Sequence, residues 1–94
     1  ATELAPGDAD AWVDLGFALF FQNRFDDANV AFRAGLDARP GHRRGRNGLA
    51  AVLTEQGDLD QAERLFRESL LIDPEDGFAR GGLQEIEKRR AGNR

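Results

Sequence analysis

The 94-residue sequence has no cysteine and no tyrosine, one histidine, one serine and one tryptophan. Without cysteine there is no disulfide framework and no thiolate metal site. Carboxylates are plentiful, but one histidine and no cysteine do not make a transition-metal centre. No metal or cofactor is expected, and little remains to carry covalent chemistry. No apolar run approaches the roughly 20 residues that span a bilayer, so membrane insertion is not expected. There is no signal-peptide pattern and no strand-like alternation. An absence of cysteine suits cytoplasm and periplasm equally, so a soluble protein is expected and its compartment stays open. The chain does not begin with methionine and reads as a fragment of a larger protein.

Proline is also scarce, and its placement is informative. Pro6, Pro40 and Pro74 sit 34 residues apart, and Leu15, Leu49 and Leu83 keep the same spacing. Paired echoes fill the interval: Gly16 with Ala50, Leu19 with Leu53, Gln22 with Gln56, Asp26 with Asp60, Ala28 with Ala62, Phe32 with Phe66, Leu36 with Leu70. A fixed period of this size marks a stacked repeat architecture. Stacked repeats build extended surfaces rather than closed pockets, which makes binding the expected activity. The length suits one small domain that buries about 60–65% of its unfolded surface. Charged residues make up 32% and apolar ones 40%, a soluble globular balance. A net charge of −4 argues against nucleic acid as the partner.

Apolar spacing predicts five helices. The first runs from about Ala9, with Asp8 as N-cap, to Gln22, and carries the stripe Trp12, Leu15, Leu19 and Phe20. Asn23, and Gly57 in the matching place, suit the left-handed conformation that ends helices. A second helix is expected over 26–38, with Ala28, Ala31, Phe32, Gly35 and Leu36 inward. Pro40-Gly41 breaks the chain. The third spans about 43–56, with Leu49, Val52 and Leu53 inward. Asp58 with Gln61 reads as a capping box for the fourth, whose apolar run reaches Ile72. Asp76 caps a fifth over about 77–90, with Phe78, Leu83 and Ile86. Connections this short force neighbouring helices antiparallel. Gly16 and Ala28, and then Ala50 and Ala62, are expected to face each other where the hairpin helices cross closely.

Other residues that could carry chemistry have simpler structural readings. His42, in a turn beside Gly41, reads as a solvated surface residue. Ser69 occupies a small-residue packing place. Arg43, Arg44 and Arg46 open a helix, where positive charge opposes the dipole; they read as a solvated face or as an anion contact. Lys88, Arg89 and Arg90 close a helix, where the dipole favours them.

These features resemble the tetratricopeptide repeat, a 34-residue helix–turn–helix unit. Trp12, Leu15-Gly16, Leu19, Ala28, Phe32 and Pro40 follow its signature in order; Arg46, Leu49-Ala50, Leu53, Ala62, Phe66 and Pro74 follow it less fully. The resemblance implies an all-α fold, a right-handed superhelical stack of antiparallel hairpins with about five helices. It divides the chain into residues 1–8 as the end of a preceding repeat, 9–42 and 43–76 as two repeats, and 77–94 as a C-terminal capping helix. It also implies a non-enzymatic module that holds a peptide or partner protein in a concave groove, as part of a scaffold or accessory protein. Carried over by alignment, the groove residues are Asp10, Val13, Phe17, Phe20 and Phe21, then Arg44, Asn47, Ala51, Thr54 and Glu55, then Phe78, Gly81, Glu85, Lys88 and Arg89. Arg44 and Arg89 at its edge suggest an apolar ligand with acidic flanks. The carboxylate clamp of chaperone-binding members is not expected, because Val13, Phe17, Gly48, Phe78 and Gly82 stand at its places. The alternative is a structural role: self-association through an uncapped N-terminal face, giving a homo-oligomer.

Overall fold

The computed structural model describes residues 7–92. Residues 1–6 of the expected preceding repeat, and 93–94 of the expected cap, lie outside the described residues. Five helices follow one another: α1 (Ala9–Phe21), α2 (Phe25–Ala38), α3 (Arg43–Glu55), α4 (Leu59–Ile72) and α5 (Gly77–Gly92), with no strand among the described residues. The expected boundaries hold to within two residues, the ordinary fraying of helix ends.

Local chemistry starts and stops these helices. Asp8 accepts the Ala11 N–H at 3.0 Å, Asp58 that of Gln61 at 3.3 Å and Asp76 that of Ala79 at 3.2 Å. Each satisfies an amide that would otherwise have no helical partner. α2 has no such cap; Asp26 and Asp27 in its first turn complement the helix dipole instead. Between α1 and α2, Asn23 takes φ 62°, and between α3 and α4 Gly57 takes φ 88°. The chain then closes back: Arg24 N–H bonds Leu19 C=O and Asp58 N–H bonds Leu53 C=O, both at 2.9 Å. Two hairpins thus turn by the same device, one repeat period apart.

His42 is not the solvated residue the sequence suggested; it is 6% exposed. Its Nδ1 accepts the Gly45 N–H at 3.0 Å and caps α3, and its Nε2 lies 2.6 Å from Asp10 Oδ1. Because Nδ1 is an acceptor, the ring proton sits on Nε2 and is donated to Asp10. This bond, with the charge of Arg39 close by, holds the Asp10 carboxyl below the usual range. His42 occupies in α3 the capping place that Asp8 and Asp76 occupy in α1 and α5.

α1 packs on α2 and α3 on α4 as hairpins, and α2 and α4 bridge to α3 and α5. α1 also touches α3, and α3 touches α5, whereas α2 and α4 do not meet. The inner row α1–α3–α5 is therefore drawn together while the outer row splays apart, and the wall bends toward the inner row. The core runs between the rows, centred on Phe32 and Phe66, both about fully buried. Gly16 and Gly48 both present bare backbone to the Phe32 ring. A Cβ on Gly16 would come within 2.7 Å of the ring, and one on Gly48 would overlap it. Gly82 seats Phe66 in the same way. The three atoms that a Cβ on Gly16 would meet first all belong to Phe32. Leu15 also departs from expectation. It is 39% exposed, whereas its equivalent Leu49 lies in the core and is 3% exposed. Ile72, expected in the apolar stripe of α4, is exposed.

Candidate functional site

The inner face carries a cluster of aromatics. Phe17 meets Phe32 edge-on with centroids 4.9 Å apart and lies 6.3 Å from both Phe21 and Phe78. Phe20 packs edge-on against Phe21 and Phe25. Core residues hold Phe17 and Phe20 half-buried, while Phe21 is 76% and Phe78 49% exposed. Two such rings standing in water are costly unless something covers them.

Phe78 stands between two clefts. One, with about 440 Å³ of space, is bounded by Phe17, Phe21, Arg43, Arg44, Asn47 and Asp76. The other, about 230 Å³, is bounded by Phe20, Ala51, Thr54, Glu55, Phe66, Gly82 and Glu85. Of the residues assigned to the groove by alignment, most therefore border one or other of two clefts that share Phe78. Arg89 bonds Glu55 and Glu85 at the border of the smaller one.

The structure removes others. Val13 is fully buried. Its Cγ2 lies 2.9 Å and 3.0 Å from where side chains on Gly35 and Gly45 would begin, so two bare helix backbones close over it. Val13 has no surface to offer a partner. Asp10 is exposed but turned toward the inter-repeat loop, bonded to Arg39 at 2.7 Å and to His42. Gly81 and Lys88 are exposed, and with Asp10 they lie outside both clefts. Thr54 is buried and donates its hydroxyl to Ala50 C=O at 2.8 Å.

Asn47 is 5% exposed and centres a polar chain across three helices. Ser69 Oγ donates to Asn47 Oδ1 at 2.7 Å, and Asn47 Nδ2 donates to Asp76 Oδ2 at 2.8 Å. Asp76 also caps α5. Burial alone would raise the Asp76 carboxyl. The hydrogen bonds from Asn47 and Ala79, with Arg43 nearby, outweigh burial and hold it below the usual range. Ser69 packs in the core as expected and also anchors this chain.

Arg43, Arg44, Arg89 and Arg90 are paired with carboxylates. Arg43 bonds Asp73 at 2.6 Å. Arg44 bonds Asp14 at 3.1 Å and lies 5.3 Å over the Phe17 ring, a cation–π geometry. Arg89 bonds Glu55 at 2.7 Å and Glu85 at 2.9 Å, and Arg90 reaches Asp60 and Glu63 on α4. The basic edge expected to favour acidic flanks is thus neutralised by the protein's own carboxylates. The α5 cluster, which the sequence explained by the helix dipole alone, also pins α5 to α3 and α4. Among the described residues no group of acidic and imidazole side chains is arranged to hold a metal, and no helix is long and apolar enough to cross a membrane.

The family model described as tetratricopeptide repeat matches residues 22–85. Protein bimA of Emericella nidulans is 34% identical over 74 residues, which cover 79% of this chain. The chain spans 9% of that protein's length.

Proposed function

The chain belongs to the tetratricopeptide repeat family, and from that premise we propose that it is a protein-binding module whose inner face, α1–α3–α5, receives a segment of a partner. In this reading residues 9–42 and 43–76 are its two repeats and 77–94 its cap. Repeats of this family generally mediate protein–protein interaction and are typically non-enzymatic. The observation that carries the reading to this face is the pair Phe21 and Phe78. Both rings are exposed on the side toward which the wall bends, and each borders the larger cleft. Aromatic side chains dominate the energy of many interfaces.

The double variant Phe21→Ala/Phe78→Ala is the test, with partner capture as the readout. Capture is expected to fall by more than about tenfold, the scale of losing two aromatic anchors, while the helical signal and melting profile persist. Undiminished capture by a folded variant would remove the inner face as the binding surface.

Leu15 favours a second reading. Its exposure, against the burial of Leu49, fits a place where another hairpin stacks on α1. Self-association through that place would make the sedimentation coefficient rise with concentration and would be abolished by Leu15→Glu. A concentration-independent monomer would dismiss it.

A further inference from the structure

Phe17, Ala51 and Glu85 hold the same place in successive inner helices, 34 residues apart. In α1 that place supplies the ring that lies edge-on against Phe32. In α3 it supplies only the Ala51 methyl. Phe66, the equivalent of Phe32, therefore receives no ring from α3, and its nearest aromatic neighbour is Phe78 at 6.2 Å. The unfilled place is the smaller cleft: the short Ala51 side chain leaves it open, and Phe20, Phe66, Phe78 and the Gly82 backbone border it. Its space of about 230 Å³ exceeds the ~150 Å³ that suffices for benzene in an apolar cavity.

Charge adds a second constraint. The ionisable groups bordering this cleft are Glu55 and Glu85. One guanidinium, Arg89, bonds both, so the rim keeps one negative charge in excess. The whole chain carries −4, which also favours the approach of cations in general.

We propose that the cleft at Ala51 is a socket for an aromatic side chain of the partner segment, with an arginine or lysine beside that aromatic engaging Glu55 and Glu85. This rests on the inner face being the partner surface, and it names the chemistry of what binds there. The ligand ring takes the place that Phe17 takes in the first repeat, and its cation completes the rim.

The probe is the blocked hexapeptide acetyl-Ala-Ala-Phe-Arg-Ala-Ala-amide, titrated into the 15N-labelled chain. Saturable shifts are expected at the amides of Ala51, Phe78 and Gly82. Replacing the probe's Phe by Ala should weaken binding by more than about tenfold, and replacing its Arg by Glu by about threefold. Ala51→Phe refills the socket from within and should weaken the probe by more than about tenfold. Glu85→Lys, at an exposed position on the rim, should reverse the preference between the Arg and Glu probes, so the proposal does not depend on Ala51→Phe folding. An absence of saturable shifts up to about 5 mM, or binding indifferent to the probe's Phe, overturns the socket. Shifts confined to the Phe17–Phe21 cleft and unaffected by Ala51→Phe overturn the socket but leave the inner-face reading standing. That reading fails separately, through undiminished capture by Phe21→Ala/Phe78→Ala.

Discussion

Replacing Phe32 by alanine is expected to lower the unfolding free energy by about 3–5 kcal/mol, most of what a domain of this size holds in reserve. The ring is fully buried and touches bare backbone on α1 at Gly16 and on α3 at Gly48. Glycine has no side chain to swing into the space left behind, so the cavity should persist and its cost with it. The same geometry makes Gly48→Ala costly, by about 1–3 kcal/mol, because the added methyl overlaps a ring that cannot move outward. Gly48→Ala combined with Phe32→Leu should then lose less than the sum of the two single changes, since each relieves what the other introduces. Urea unfolding of the unchanged chain and these four variants provides the check. A loss under about 1 kcal/mol for Phe32→Ala would mean that the ring is not the keystone of the first hairpin.

Asn47→Ala is the second large effect, expected to cost about 2–3 kcal/mol. It strands the Ser69 hydroxyl in the core and removes a donor from a poorly solvated Asp76 carboxylate. The acid limb of the stability curve should report the same chain. The folded-state affinity of Asp76 for protons is depressed. Its contribution is therefore in place above the ordinary carboxylate range and is lost as pH falls below about 4, through the folded-state value. Asp10, shifted in the same direction, adds to that slope. Asp76→Asn should flatten the slope, and urea midpoints at pH 7 and pH 3 would show it. Equal pH dependence in the variant and the parent would assign the acid sensitivity elsewhere.

Much of this molecule could be read from spacing alone. The 34-residue echo located both hairpins. Asn23 and Gly57 marked the turns, and the aspartate caps set three helix starts within a residue. These features are local, so a linear pattern carries them. What escaped depends on backbones that meet across the fold. Val13 was placed in the groove by alignment with the family; the convergence of Gly35 and Gly45, which closes over it, is a property of the fold. His42 looked solvated because it follows Pro40-Gly41, although its register with Asp8 and Asp76 was the available sign of a cap. The arginines looked free because their carboxylates lie far along the chain: Arg43 with Asp73, Arg44 with Asp14, Arg90 with Asp60. Arg44–Asp14 and Arg90–Asp60 join neighbouring repeats and Arg43–Asp73 joins the two ends of one, relations that no window along one helix contains. The gap at Ala51 was visible as a letter but acquired meaning only when Phe17 was seen lying on Phe32.

The seat of Phe32 is shared: its ring belongs to the first hairpin, and half of its bed, Gly48, belongs to the second. Phe66 and Gly82 repeat this overlap one step further on. Hairpins tiled in this way have no seam at which one can melt and leave its neighbour whole. Like overlapping shingles, they hold or lift together, so the inner wall exists as one object rather than as separable modules.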